Sequence, residues 1–138
     1  MNAPYTNSDP CWRGLGVLDG AKVLLVEDDP ATRWLVRSAL RDKCRLATAN
    51  TANKAFSICQ SYKPDIVFLD IGLPDKSGCE VLKWLARNDP GVQVIIFSGC
   101  TDLNIISGAL ESGARGFIAK PFTKESFLSY IGDPADTV

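Results

Sequence analysis

The sequence contains no histidine. That absence excludes a His-ligated zinc site, Ser-His-Asp hydrolysis and any phosphohistidine on this chain. Phosphoryl or acid–base chemistry must fall to carboxylates, hydroxyls, thiols or lysines. An excess of one charge is lacking as well: 15 Lys plus Arg face 16 Asp plus Glu, a formal net charge of −1. A protein built mainly to coat nucleic acid would be strongly basic, so no direct nucleic-acid partner is expected, although a local basic patch stays compatible. No apolar run approaches the ~18 residues that read as a membrane span, and no basic stretch followed by an apolar core opens the chain. The expectation is no membrane partner and a cytoplasmic location. The five cysteines, Cys11, Cys44, Cys59, Cys79 and Cys100, are odd in number and include no C-x-x-C pair. This argues against a disulfide framework or a Cys₄ metal site. Four lie in or beside apolar periodic segments, where a thiol behaves as a small hydrophobe. Reduced thiols are expected.

What is present is an alternating pattern. The 138 residues suffice for one domain with a real core. Apolar residues make up 46% and charged residues 22%, a globular rather than a disordered balance. Residues 1–20 read as a lead-in rich in Pro, Gly and Asn, which Trp12, Leu15, Val17 and Leu18 could pin to the domain. Val23 to Val26 is a continuous apolar run, as expected of a strand buried on both faces. Asp29 is a natural N-cap, and Pro30 fits the first turn of a helix carrying Leu35, Val36, Ala39 and Leu40 at helical spacing. A weaker strand, Leu46 to Ala49, leads to a helix with the stripe Ala52, Ala55, Phe56 and Cys59, stopped by Pro64. Ile66 to Leu69 is the third strand, and a turn-rich loop from Leu73 to Gly78 follows it. Val81, Leu82, Leu85 and Ala86 mark the third helix, and Val92 to Phe97 the fourth strand. Ile105, Ile106, Ala109 and Leu110 mark a helix closed by Gly113. Gly116 to Ala119 is a short fifth strand, and Phe127, Leu128 and Ile131 a short last helix. Residues 132–138 read as a tail or linker. Five strands alternating with five helices, with continuous apolar strands, predict a doubly wound α/β three-layer sandwich around a parallel sheet.

The polar residues at the strand ends then stand out. Glu27, Asp28 and Asp29 follow strand one, Asp70 strand three, Ser98 strand four and Lys120 strand five. In an open α/β sheet these carboxyl ends share one edge, where ligands bind. Carboxylates brought together repel, and a hard oxygen-seeking cation such as Mg²⁺ relieves that repulsion. A lysine supplies a point charge suited to phosphate. Each residue alone is also a common loop, cap or ion-pair residue; the joint placement is what points to a site. Competing phosphate folds fit poorly. There is no G-x-x-x-x-G-K-[ST], and Gly14-Leu15-Gly16 precedes the first strand instead of following it. Asp70 is followed by Ile71 and Gly72, so the second acid of a haloacid-dehalogenase-type phosphohydrolase is missing.

With these anchors the sequence resembles the receiver domain of bacterial two-component response regulators. The resemblance runs from about Ala21 to Ile131. It rests on Glu27-Asp28 after Val-Leu-Leu-Val, on Asp70-Ile-Gly-Leu-Pro-Asp-Lys-Ser-Gly, on Ser98-Gly99 and on Lys120-Pro121-Phe122. It implies a flavodoxin-like (βα)₅ fold of strand order 2-1-3-4-5. It implies that Asp70 accepts a phosphoryl group from a sensor histidine kinase or histidine phosphotransfer protein. Metal binding would fall to Glu27, Asp28, Asp70 and the Gly72 carbonyl, with Glu27 acting through water; Mg²⁺ is the implied ion and Mn²⁺ an implied substitute. Ser98 and Phe117 would form the switch, Lys120 would pair with the phosphoryl group, and the Lys120–Pro121 peptide would be cis. Gly99 would leave room for an incoming imidazole. Gly72 and Cys100 occupy positions that tune water access, and neither offers a group to orient water. The short last helix limits the surface for a phosphorylation-dependent homodimer. The protein is expected to be a stand-alone receiver, with a fragment of a larger regulator or of a hybrid histidine kinase as the alternative. An unphosphorylated receiver-like binding module is the alternative function.

Overall fold

The computed structural model describes residues 21–99 and 102–131. Among them, five strands alternate with five helices: β1 Lys22–Val26, α1 Pro30–Leu40, β2 Arg45–Ala49, α2 Ala52–Tyr62, β3 Ile66–Asp70, α3 Gly78–Asn88, β4 Gln93–Ser98, α4 Leu103–Glu111, β5 Gly116–Ala119 and α5 Lys124–Ile131. The sheet is parallel throughout, in the order β2-β1-β3-β4-β5. The three-layer sandwich and the strand order are those expected.

Continuous apolar strands arise because both sheet faces are covered. Val23, Leu25, Ile66, Phe68, Ile95 and Phe97 pack beneath α1 and α5, with Val36, Leu40, Phe127 and Ile131. Leu24, Val26, Val67, Leu69, Val94 and Ile96 pack beneath α2, α3 and α4. Phe68, Phe97, Phe122 and Phe127 form an edge-to-face cluster with ring centroids 4.8–6.2 Å apart. Phe122 thereby ties the loop after β5 to the core.

The helix starts follow local chemistry. Asp29 caps α1 by accepting from the Thr32 amide, as expected, and Pro30 occupies its first turn. Thr51 caps α2. Ser77 and Glu80 form a reciprocal capping box on α3. Gly113, at φ +114°, ends α4 in a conformation open to glycine.

Three helical stripes are narrower than the spacing suggested. Leu35 is 54% exposed, because it lies about 100° around the helix from buried Val36. Ala86 is likewise exposed, one step from buried Leu85. On α4 only Ala109 is buried, while Ile105 and Leu110 stand partly in solvent. Through Ala109 this helix joins the core cluster that holds Val94 and Ile96 of β4. Cys44 and Cys59 are buried thiols pushed up by burial to about 12 and about 11, and with Cys79 they are free. Cys11, Cys100 and the apolar residues of the lead-in lie outside the described residues.

Gly78 and Gly108 give opposite expectations. A Cβ on Gly78 would meet the Asp70 carbonyl and the Ile71 Cα at 2.6 Å, both rigid backbone. Gly78→Ala should therefore destabilise the protein by about 1–3 kcal/mol in urea denaturation. A Cβ on Gly108 meets nothing within 4 Å, so Gly108→Ala should stabilise α4 by about 0.5–1 kcal/mol.

Candidate functional site

Sheet register assembles the site. Val26 pairs with Leu69, so the next residues, Glu27 and Asp70, emerge side by side at a strand spacing of about 4.8 Å. Asp70 pairs with Phe97, which places Ser98 one step beyond it on β4. Ser98 pairs with Ala119, and the Ser98 carbonyl accepts from the Lys120 amide at 3.0 Å. Four sequence-distant residues are thus delivered to one edge by backbone pairing alone.

Glu27, Asp70 and Ser98 are buried, and Asp28 is exposed. Lys120 Nζ lies 3.0 Å from Glu27 Oε1 and 3.9 Å from Asp70 Oδ2. The same ammonium sits 5.3 Å from the centroid of the Phe97 ring. The Lys120–Pro121 peptide is cis. Glu27 Oε2 accepts from the Asp29 amide at 3.0 Å, and Asp70 Oδ1 from the Gly72 amide at 3.2 Å. Phe117 lies on β5, partly buried against the α2–α4 side of the core.

Burial pushes the Glu27 carboxyl up to about 7 from an ordinary 4.5; the Asp29 amide and Lys120 oppose this, and the neighbouring Asp70 adds to it. One carboxylate oxygen from each of Glu27, Asp28 and Asp70 falls within 4.8 Å of the others. An all-oxygen set with surplus negative charge fits a hard divalent cation. The Glu27 oxygens are already engaged by Lys120 and Asp29, whereas the Asp28 carboxylate accepts no hydrogen bond among the described residues.

Two further residues hold this edge in place and were not anticipated. Arg33, on α1, donates to the carbonyls of Glu27 and Asp28 at 3.0 and 3.3 Å. Asp75, in the loop after β3, accepts from the Ala52 and Asn53 amides at 2.8 and 3.0 Å. These contacts hold its carboxyl below the usual range, the Ala52 amide first among them. Asp75 was legible as a turn residue. Its partners, 22 and 23 positions earlier, were not.

An open parallel sheet of order 2-1-3-4-5 with three acids, a hydroxyl and a lysine at its carboxyl edge defines a flavodoxin-like domain with an acidic, oxygen-rich edge. Comparison with known proteins then identifies the family: the chain matches the response regulator receiver domain over residues 23–132, and it belongs to that family. It is 32% identical over 113 residues to the chemotaxis protein CheY of Halobacterium salinarum, covering 81% of this chain and 94% of that one. It is 34% identical over 112 residues to the transcriptional regulatory protein KdpE of Staphylococcus aureus, covering 80% of this chain and 48% of that one. The chain thus spans about half the length of KdpE and nearly all of CheY. A CheY-like receiver domain protein from Methanospirillum hungatei superposes with a TM-score of 0.77 at 25% identity, over 85% of this chain and 95% of that one. Receiver domains bind Mg²⁺ at an acidic pocket, and Glu27, Asp28 and Asp70 form an acidic cluster that could hold a metal. Among the described residues, no helix is long and apolar enough to cross a membrane.

The raised Glu27 value has a pH signature. The folded chain holds this proton more tightly than the unfolded chain, so the group's contribution is intact below about 4.5 and is lost as pH rises through about 7. Metal-free protein should lose stability across that window, and Glu27→Gln should flatten the loss in denaturation curves. Mg²⁺ affinity should weaken below about pH 7, by up to about tenfold per unit, because the proton competes with the cation. A Mg²⁺ titration at several pH values checks this.

Proposed function

We propose that this domain accepts a phosphoryl group onto Asp70 from the phosphohistidine of a sensor histidine kinase or histidine phosphotransfer protein. The observation that carries the reading is the contact set of Lys120. One ammonium lies within 3.9 Å of Asp70 and 3.0 Å of Glu27, at the edge where the buried Asp70 leaves β3. An oxygen of the Asp70 carboxylate attacks phosphorus, the new P–O bond forms as the P–N bond to the donor imidazole breaks, and the departing imidazole takes its proton from solvent. Phosphoryl transfer depends mainly on positioning and charge neutralisation, and these residues supply both.

Lys120 pairs with a phosphoryl oxygen, and the Ser98 hydroxyl donates to another. Glu27, Asp28, Asp70 and the Gly72 carbonyl are the residues to hold Mg²⁺, or Mn²⁺ in its place, with Glu27 acting through water. The bound cation supplies neutralisation of the phosphoryl charge. Ser98 and Phe117 are the residues through which occupancy of Asp70 changes a protein-interaction surface. The downstream partner and a phosphorylation-dependent homodimer belong to that output. The functional unit is residues 21–131; the lead-in 1–20 and the segment 132–138 flank it and lie outside the described residues.

Incubation with acetyl phosphate and Mg²⁺ should add one phosphoryl group by intact mass, and Asp70→Ala should abolish the gain. No gain, together with no Mg²⁺ binding, would replace this reading with that of an unphosphorylated protein-binding module. Turnover of a small phosphoester would favour a phosphohydrolase. The Gly72 position offers no side chain to orient water, and Cys100, at the other such position, lies outside the described residues. The phosphoryl group should therefore persist for minutes or longer, and a hydrolysis half-life of seconds would contradict this.

A further inference from the structure

Away from the acidic edge, α2 and α3 enclose a groove of about 410 Å³ whose floor is an aromatic pair. Phe56 on α2 and Trp84 on α3 have ring centroids 4.8 Å apart at 39° and are both partly exposed. Lys76, Lys83 and Arg87 line the walls and are exposed. Lys83 and Arg87 lie one helical turn apart, where like charges repel. Among the described residues none of these three cations makes a hydrogen bond or ion pair; the ion pairs found there all involve Lys120. Glu80, the acid in the groove, spends one carboxylate oxygen on the Ser77 amide within the capping box. Three cations and one carboxylate, a net charge of +2, therefore surround the aromatic pair, in a chain whose overall charge is −1.

The groove does not end there. Trp84 is also a wall of a second cleft of about 460 Å³ that reaches the opposite end of the sheet. That cleft carries Lys63, Asp65 and Asp89, so the charge changes sign along the path. A nucleic acid strand or an anionic bilayer presents one sign of charge and would be repelled at Asp65 and Asp89. A peptide can be acidic at one end only, and it can place a bulky apolar side chain on a partly exposed Trp, a residue type enriched among binding hot spots.

We infer that the α2–α3 groove docks an acidic protein segment, whose carboxylates meet Lys76, Lys83 and Arg87 and whose apolar anchor lies on Phe56 and Trp84. This surface is separate from the phosphoryl site, and the inference does not depend on phosphorylation of Asp70.

The test is a titration of the isotopically labelled full chain with a short peptide that carries Glu-Glu-Leu-Leu at one end and uncharged Gly-Ser repeats at the other, followed by amide and indole NMR shifts. Its Lys-for-Glu counterpart, an oligothymidylate and anionic phospholipid vesicles are run in parallel. The expected result is a saturable shift at Phe56, Lys83, Trp84 and Arg87 with the acidic peptide alone. Affinity should fall as salt rises and be about tenfold weaker in the Lys83→Glu, Arg87→Glu double variant. Both substituted positions are exposed, and an unchanged thermal transition establishes that the variant folds. No saturable shift, shifts centred elsewhere, equal binding of both peptides, or tighter binding of the oligothymidylate or vesicles would overturn the inference. None of these outcomes bears on Asp70, whose phosphorylation is read separately by mass.

Discussion

Across the β1–β3 ladder Val26 lies opposite Leu69, so two carboxylates, Glu27 and Asp70, must leave the sheet together. Their mutual repulsion is the constraint to which the surrounding structure answers. Lys120 is set between them, Arg33 holds the backbone carbonyls of the Glu27-Asp28 turn, and Asp29 caps the helix that follows. The compensation is incomplete, since burial still leaves Glu27 holding its proton towards neutral pH. Glu27 and Asp70 share the single ammonium of Lys120 while Arg33 is spent on backbone carbonyls, and such an excess of carboxylate is the electrostatic setting that suits a further positive charge.

The same arrangement explains why the core is built as it is. Lys120 projects from a loop, and loops position side chains poorly unless something rigid holds them. Here the Lys120 amide bonds to the Ser98 carbonyl on one side, and on the other Phe122 inserts among Phe68, Phe97 and Phe127. Phe97 also presents its ring to the ammonium. The aromatic cluster beneath α5 is thus both core and support for the site. On the far side Asp75 fastens the loop after β3 to the start of α2, and Gly78 allows α3 to begin against the Asp70 backbone.

Much of this was legible in the residues. Short β-branched runs bounded by caps and Gly–Pro turns located the strands to within a residue or two, because a doubly covered strand is apolar at every position. Asp29, Pro30 and Gly113 marked helix ends through local chemistry that needs no tertiary context. The helix faces were read less well. Leu35, Ala86, Ile105 and Leu110 fit the period, but how wide a stripe is buried depends on what lies beneath. The positions of Glu27, Asp70, Ser98 and Lys120 were legible because each lies at or just past the carboxyl end of a strand. The contacts of Arg33 and Asp75 were not, because a guanidinium on a carbonyl or a carboxylate on a distant amide leaves no periodic trace.

The chain's chemistry was therefore decided at the level of sequence. Without histidine, the polar groups at the strand ends had to be carboxylates, a hydroxyl and a lysine, and alternating apolar runs had to make a sheet covered on both faces. The tertiary structure decided everything that depends on distance. It brought Glu27 and Asp70 within reach of the Lys120 ammonium, raised the proton affinity of Glu27 by burying it, and aligned Phe56 with Trp84 beside Lys76, Lys83 and Arg87. Local pattern determines which element a residue joins; only packing determines which charges become neighbours, and how much water remains to screen them.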